Sequence, residues 1–136
     1  MTVTKALGLY GLTAAGFFAI DFIWLTRIAQ GFYQTHIGQY LREDPVIWAA
    51  VGFYALYLIG VVVFAVVPAL EAESLGRSAG MGALFGLVAY ATFDLTCKAL
   101  FRDFPTIVVV VDLAWGTVLT AGTAAIGYGA GRWLGL

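Results

Sequence analysis

Four long apolar stretches divide the chain. They cover about Ala6–Ala29, Ile47–Leu70, Ala79–Phe101 and Ile107–Leu134. Each is long enough to cross a hydrocarbon core of roughly 30 Å as an α-helix. Because the connections between them are short, consecutive helices are expected to run antiparallel. The pattern predicts an all-α polytopic membrane protein, a four-helix bundle forming a single transmembrane domain over residues 1–136.

The first connection, Gln30–Pro45, is polar but contains regularly spaced aromatic and aliphatic residues. They recur at three- and four-residue steps, as on one face of a helix: Phe32, Tyr33, His36, Ile37, Tyr40 and Leu41. This spacing predicts a short amphipathic helix in the membrane interface between the first two spans. We expect the first apolar stretch to be a retained span, since it is longer than the core of a secretion signal and no small-residue cleavage site follows it.

Composition agrees with a membrane protein and narrows the function classes. Hydrophobic residues make up 62% of the chain and charged residues 11%, whereas soluble domains have about half and a quarter. The net charge of −1 lacks the basic stripe of nucleic-acid binding proteins. One cysteine and one histidine argue against a disulfide framework and a dedicated metal site. We therefore expect no cofactor, and membrane lipids as partners.

An even number of spans places both chain ends on one side of the membrane, here called side A. The first and third connections then lie on side B. Lysine and arginine residues are divided almost evenly between the two sides, so the positive-inside rule does not orient the chain.

Three aspartates interrupt the apolar stretches: Asp21, Asp94 and Asp112. Counted from the side-B helix ends at 1.5 Å per residue, they share a layer roughly 8–12 Å deep. A carboxylate in hydrocarbon costs at least about 2.5–3.5 kcal/mol on insertion scales, so intramembrane acids usually face the bundle interior and mark a function. Lys98 follows Asp94 by four residues and is in position to pair with it. We predict a polar cavity in the side-B half.

Aromatic and basic side chains are predicted to surround the three aspartates as substrate-binding groups. Tyrosines near the aspartate layer would orient a substrate, tryptophans would shape an apolar pocket, and cationic residues at the side-B mouth would hold an anionic head group. The residues expected in these roles are Tyr54, Tyr57, Tyr90, Trp24, Trp115, Lys98 and Arg102.

The side-A half carries small residues at three- and four-residue spacing instead. They are Gly8, Gly11 and Ala15 in the first span, Gly82 and Gly86 in the third, and Gly127 and Gly131 in the fourth. In lipid, such spacing lets helix backbones approach closely. We therefore expect a tightly packed side-A half, and glycine faces that could also join copies of the chain into a homo-oligomer.

Motifs in three of the spans and in the first connection resemble those of a known family. The third span and the corner after it read AYATFDLTCKALFRDFP, the fourth begins VVDLAWG, and the first contains DFIWL, with FY following at Phe32–Tyr33. They resemble an uncharacterised family of small four-span bacterial inner-membrane proteins, a domain of unknown function, with the patterns A-Y-x-T-Y-D-L-T-N, W-P and V-D-x-x-W-G. The matching positions are Asp94, Leu95, Thr96, Pro105, Asp112, Trp115 and Gly116.

The chain departs from that pattern at three positions. Phe93, Cys97 and Phe104 stand where the family has tyrosine, asparagine and tryptophan. The amide group beside Asp94 is therefore missing here. The resemblance implies a four-span fold and a bacterial inner-membrane location, and it implies no established activity.

Two classes of activity and one non-catalytic role are consistent with these residues. An enzyme would use Asp21, Asp94 and Asp112 as acid and base on a lipid-like or isoprenoid substrate, in isomerisation, cyclisation or hydration. A proton-coupled transporter or channel is the alternative, because intramembrane carboxylates also mark ion routes. A lipid-binding or assembly subunit is the third hypothesis, and the aspartates would then serve only packing. No serine or cysteine nucleophile with an adjacent base is present to support hydrolysis.

Overall fold

The computed structural model describes residues Met1–Leu136, and nearly all of them are helical. The elements in chain order are α1 (Val3–Trp24), a π-helical turn (Leu25–Ala29), α2 (Gln30–Ile37), a 3-10 turn (Gly38–Tyr40), α3 (Ile47–Val61), a second π-helical turn (Val62–Val66), α4 (Val67–Ala72), α5 (Leu75–Leu100) and α6 (Thr106–Trp133). They form four helical stretches long and apolar enough to cross a membrane: Val3–Tyr40, Ile47–Ala72, Leu75–Leu100 and Thr106–Trp133. The predicted all-α membrane bundle is confirmed.

The helix ends follow from local sequence. The Thr2 hydroxyl accepts a hydrogen bond from the Lys5 backbone N–H, and the Ser74 hydroxyl accepts one from Arg77, so α1 and α5 both begin at side-chain caps. Pro105 precedes α6 and prevents α5 from continuing into it. Within the second span, Pro68 lacks a backbone N–H, and the π-helical turn directly before it accommodates the disturbed hydrogen-bond ladder.

The helix predicted in the first connection is present, but it is not a separate element. It continues the first span through the π-helical turn Leu25–Ala29 and gives a helical stretch of 38 residues. At 1.5 Å per residue this stretch is about 57 Å long, well beyond the hydrocarbon thickness. Its end packs on the side-B ends of α5 and α6, where Ile37 joins a buried cluster with Cys97, Phe104, Val108 and Val109.

The side-A half is closed by direct contact between backbones. A methyl group added at Gly82 would lie 2.7 Å from the carbonyl oxygen of Thr120, and one at Gly86 would collide with the backbone of Gly116. Gly127 packs against the side chains of Val66 and Thr13. The predicted close packing is therefore found between α5 and α6 and around Gly127 and Gly131.

Of the small residues predicted to pack in the first span, Gly8 lies against Leu134, but the other two behave differently from the expectation. Gly11 and Ala15 are exposed on the outer surface of α1, and a methyl group at Gly11 would meet nothing within 4 Å. The close contact of α1 is made by Gly16 instead, against the side chain of Ile126. The spacing of small residues predicted a packing face, but α1 turns a neighbouring face towards α6.

Candidate functional site

A cavity of about 300 Å³ lies between α3 and α5 in the side-B half. The two helices make little contact there, whereas α5 packs closely on the second π-helical turn and on α4 in the side-A half. The residues that line this lateral cavity are Phe53, Tyr54, Ala89, Tyr90, Phe93, Asp94 and Asp112.

The lateral cavity opens at the outer surface of the bundle, between two helical stretches long and apolar enough to cross a membrane. Its rim carries Phe53 and Phe93, which are 48% and 59% exposed on the outer surface of the bundle. Its inner wall carries Asp94 and Asp112, which are 1% and 7% exposed. An apolar molecule could therefore reach two carboxyl groups without first crossing an aqueous surface.

Close packing elsewhere holds the wall of this cavity in place. The ring of Tyr90 packs directly on the backbone of Gly116, where no other residue would leave room for it. This contact anchors α5 to α6 one turn away from Asp94 and Asp112. The glycine at this position was noted only as part of the V-D-x-x-W-G motif, and the structure gives it a packing role.

Asp94 and Asp112 form a pair of facing carboxyl groups, here called the aspartate pair. They line the same lateral cavity and are neighbours across the interface of α5 and α6. Neither oxygen of Asp94 has a hydrogen-bond donor, because two carboxylates can only accept. A single proton between them would supply the missing hydrogen bond, and two like charges buried together would be strongly unfavourable.

Tyr33 completes the aspartate pair, and sequence reasoning did not select it. Its hydroxyl donates a hydrogen bond to Oδ1 of Asp112 from the α2 segment. Two signals in the sequence include Tyr33: the amphipathic spacing of the first connection, which predicts membrane contact, and the Phe32–Tyr33 pair of the family resemblance. That spacing could not show that the helix turns this tyrosine inwards onto the bundle.

Asp21 lies apart from the pair. It is buried beside the indole of Trp115, whose N–H has no hydrogen bond of good geometry. Trp115 stacks on Trp24 with ring centres 4.4 Å apart and planes inclined by 8°. Tyr54, Tyr57 and Tyr90 carry their hydroxyl groups in the neighbourhood of Asp21. The structure thus brings two of the three aspartates together and surrounds the third with aromatic groups.

The predicted substrate-binding tyrosines separate into two groups. Tyr54 and Tyr90 line the lateral cavity. Tyr57 is buried in the main core and its hydroxyl shares a hydrogen bond with Thr120 of α6. Tyr57 therefore joins the second and fourth spans beneath the cavity.

The basic residues predicted at the mouth do not line the cavity. Lys98 donates a hydrogen bond of 2.9 Å to the carbonyl oxygen of Phe104 and does not pair with Asp94. Arg102 is exposed, and its backbone carbonyl accepts a hydrogen bond from Tyr40. The four-residue spacing correctly places Asp94 and Lys98 on adjacent turns. The tight corner offers Lys98 a nearer carbonyl acceptor, however, so the expected ion pair is not formed.

The chain was also compared with known proteins. It matches the family described as Predicted membrane protein (DUF2177) over residues 6–129. Comparison with curated proteins and with solved structures gives no match. The matched region extends from the first span into the fourth and includes the motifs around Asp94 and Asp112, which confirms the resemblance to an uncharacterised membrane-protein family. The chain therefore belongs to the DUF2177 family of predicted membrane proteins.

Proposed function

We propose that this protein is a membrane enzyme that transfers protons to and from a lipid-like or isoprenoid substrate, in an isomerisation, cyclisation or hydration. The observation that carries this proposal is the buried aspartate pair in the wall of a cavity that opens towards lipid. Proton transfer to and from such a substrate requires at least one acid and one base that face the same apolar chamber.

The chamber suits part of an apolar substrate. Five of its seven lining residues are hydrophobic, and its volume is at the lower end of ordinary ligand sites, which range over about 300–1,000 Å³. The exposed rim of Phe53 and Phe93 leaves room for a longer chain to extend into the bilayer. Few polar groups and much apolar surface favour a substrate whose reacting part is a hydrocarbon double bond.

The aspartate pair can carry out an isomerisation with all atoms balanced. The protonated carboxyl group donates its proton to one carbon of the double bond. The carboxylate then removes a proton from a carbon adjacent to the resulting cation, and the double bond forms at its new position. The pair ends with one proton, as it began, so neither metal nor nucleotide is consumed. Asp21 and the tyrosines beside it would stabilise or orient the substrate.

Transport is the less favoured function. A carrier or channel needs a polar route to both sides of the membrane. The polar groups described above lie in the side-B half, while Gly82 and Gly86 hold α5 directly on α6 in the side-A half. This contact leaves no room for a continuous polar path between those helices.

The resemblance of the third- and fourth-span motifs also supports a location. We propose the bacterial inner membrane, with the protein as a multi-pass component. Membrane lipids are the proposed partners. The exposed small residues Gly11 and Ala15 offer a surface on which a second copy could pack.

Deuterium labelling tests the proposed chemistry. Cells expressing the wild-type chain are grown in heavy water, and their lipid and isoprenoid extract is analysed by mass spectrometry against Asp94→Asn, Asp112→Asn and a control, Asp103→Asn. Asp103 lies in the side-B corner with φ 56°, a conformation that asparagine also tolerates. We expect a labelled product with the wild type and the control, and none with the other two variants.

Two results would contradict the enzyme. One is an identical lipid profile in all four strains although the proteins accumulate normally. The other is a proton flux into proteoliposomes that requires Asp94 and Asp112, which would establish transport instead.

A further inference from the structure

We propose that Tyr33 relays protons between water on side B and the aspartate pair, through a second cavity that no sequence motif indicated. This inference rests on the proposed function and adds a route by which the pair obtains its proton. It assigns a role to the segment between the first two spans.

The second cavity lies where α2 meets the chain leading to α3. Its volume is about 660 Å³, and we call it the interfacial cavity. It is lined by Leu25, Ala29, Gln30, Tyr33, Gln34, Leu41, Arg42 and Pro45. The two amides and the guanidinium of Arg42 provide hydrogen-bonding groups for water, unlike the apolar rim of the lateral cavity.

Tyr33 connects the two cavities. Tyr33 belongs to the lining of the interfacial cavity, and its hydroxyl donates to Asp112, which lines the lateral cavity. The side chain of Trp24 lies near the same hydroxyl. One residue therefore links the interfacial cavity, which is open at the surface and only partly polar, with the buried acids.

The aspartate pair has no comparable contact with water by another path. Asp94 is almost completely buried and has no hydrogen-bond donor. The lateral cavity leads past Phe53 and Phe93 towards hydrocarbon, which supplies no protons. In the opposite direction, the backbone contact at Gly86 closes the interface of α5 and α6.

A tyrosine hydroxyl can transmit a proton because it both donates and accepts. A hydronium ion in the interfacial cavity gives a proton to the Tyr33 oxygen and becomes water, as the original hydroxyl proton moves to Oδ1 of Asp112. One O–H bond breaks and one forms at the phenol, which ends unchanged, and the aspartate pair gains one proton. The reverse sequence returns a proton to side B.

Infrared spectroscopy of the protein in lipid nanodiscs tests the relay. A protonated carboxyl group has its own C=O band, and replacing the proton by deuterium shifts it, so the exchange rate after transfer to heavy water can be followed. We expect Tyr33→Phe to retain the band but to slow its exchange by about 10²-fold or more, the lower end of what a positioned proton-transfer group contributes.

A matched control is available in the same span. Tyr10 donates a hydrogen bond of 3.1 Å to the carbonyl oxygen of Ala55, away from both cavities. Tyr10→Phe makes the same chemical change and is expected to leave the exchange rate at the wild-type value. Should Tyr33→Phe not fold, the double variant Gln30→Leu, Gln34→Leu makes the interfacial cavity apolar and is expected to slow exchange in the same direction.

The outcomes separate this inference from the function on which it rests. A wild-type band that exchanges equally fast in Tyr33→Phe overturns the relay and leaves the aspartate pair intact as acid and base. Absence of the band from the wild-type protein overturns the shared proton, and with it both proposals. Both proposals are supported by two results together. The band disappears in Asp94→Asn and in Asp112→Asn, and its exchange is slow only when the Tyr33 hydroxyl is removed.

Discussion

The two halves of the α5–α6 interface differ although the same pair of helices forms both. On one face of α5, Gly82, Gly86, Tyr90 and Asp94 follow each other at steps of four residues. The glycines allow backbone contact with α6 in the side-A half. On the same face, the larger side chains of Tyr90 and Asp94 line the lateral cavity in the side-B half. Side-chain size along one stripe thus divides the bundle into a closed half and an open half.

The closed half and the open half should respond oppositely to substitution. In the closed half, contacts between backbones leave no space, so added atoms should reduce stability. In the open half, the buried carboxyl of Asp94 lacks a donor, an arrangement that favours function over stability. Substitutions there should reduce activity while the fold persists.

The largest effect is expected from Asp94→Asn. Loss of the acid or base should lower the rate of product formation by about 10²–10⁴-fold. The free energy of unfolding should stay within about 1 kcal/mol of the wild-type value or rise, because the new amide can donate to Asp112. Product formation and thermal unfolding in detergent measure the two quantities. A large loss of stability would show that Asp94 serves packing and would remove the contrast between the halves.

The next effect is expected from Gly86→Ala in the closed half. The added methyl group meets the Gly116 carbonyl and the Thr120 side chain, so overpacking should cost about 1–3 kcal/mol of stability. Gly80→Ala on the same helix is the control, because a methyl group there meets nothing within 4 Å. Thermal unfolding of both variants is the measurement. Equal stability of the two would contradict direct backbone packing in this half.

A third substitution, Ala89→Leu, should partly fill the lateral cavity without disturbing the closed half. Misfit by one methylene group in an apolar pocket is worth about 1–3 kcal/mol, so KM for the substrate should rise by about tenfold or more. Ala99→Leu is the control, since Ala99 is exposed on α5 and does not line the cavity. An unchanged KM in a well-folded Ala89→Leu protein would mean that substrate binds elsewhere.

The smallest effect is expected at the boundary between the halves. Tyr57→Phe removes the hydrogen bond to Thr120 and should lower stability by about 1 kcal/mol. Tyr54→Phe alters the cavity wall and should change KM more than Tyr57→Phe does. Unfolding and kinetic measurements on both variants check this division. If Tyr57→Phe changed KM more than Tyr54→Phe, Tyr57 would be a substrate-binding residue, as the sequence predicts.

The sequence by itself determined the membrane fold, the inward orientation of the buried aspartates and part of the close packing. Apolar stretches long enough to cross the bilayer leave helices as the only structure that satisfies their backbone groups. The cost of burying a carboxyl group then requires Asp21, Asp94 and Asp112 to face inwards, as they do. The glycine spacing likewise indicated close packing at Gly82 and Gly86, because only backbone contact makes such spacing useful there.

Only the tertiary structure decided which of these inward groups meet. Periodicity fixes the face of a helix that a residue occupies, but not the rotation of that helix against its neighbours. Asp94 therefore faces Asp112, while Lys98 turns to the Phe104 carbonyl. Likewise, Tyr33 is expected from the sequence to lie in the membrane interface, but in the structure it donates a hydrogen bond to Asp112. Contacts between distant segments depend on how whole helices pack, and the local spacing of residues does not determine that packing.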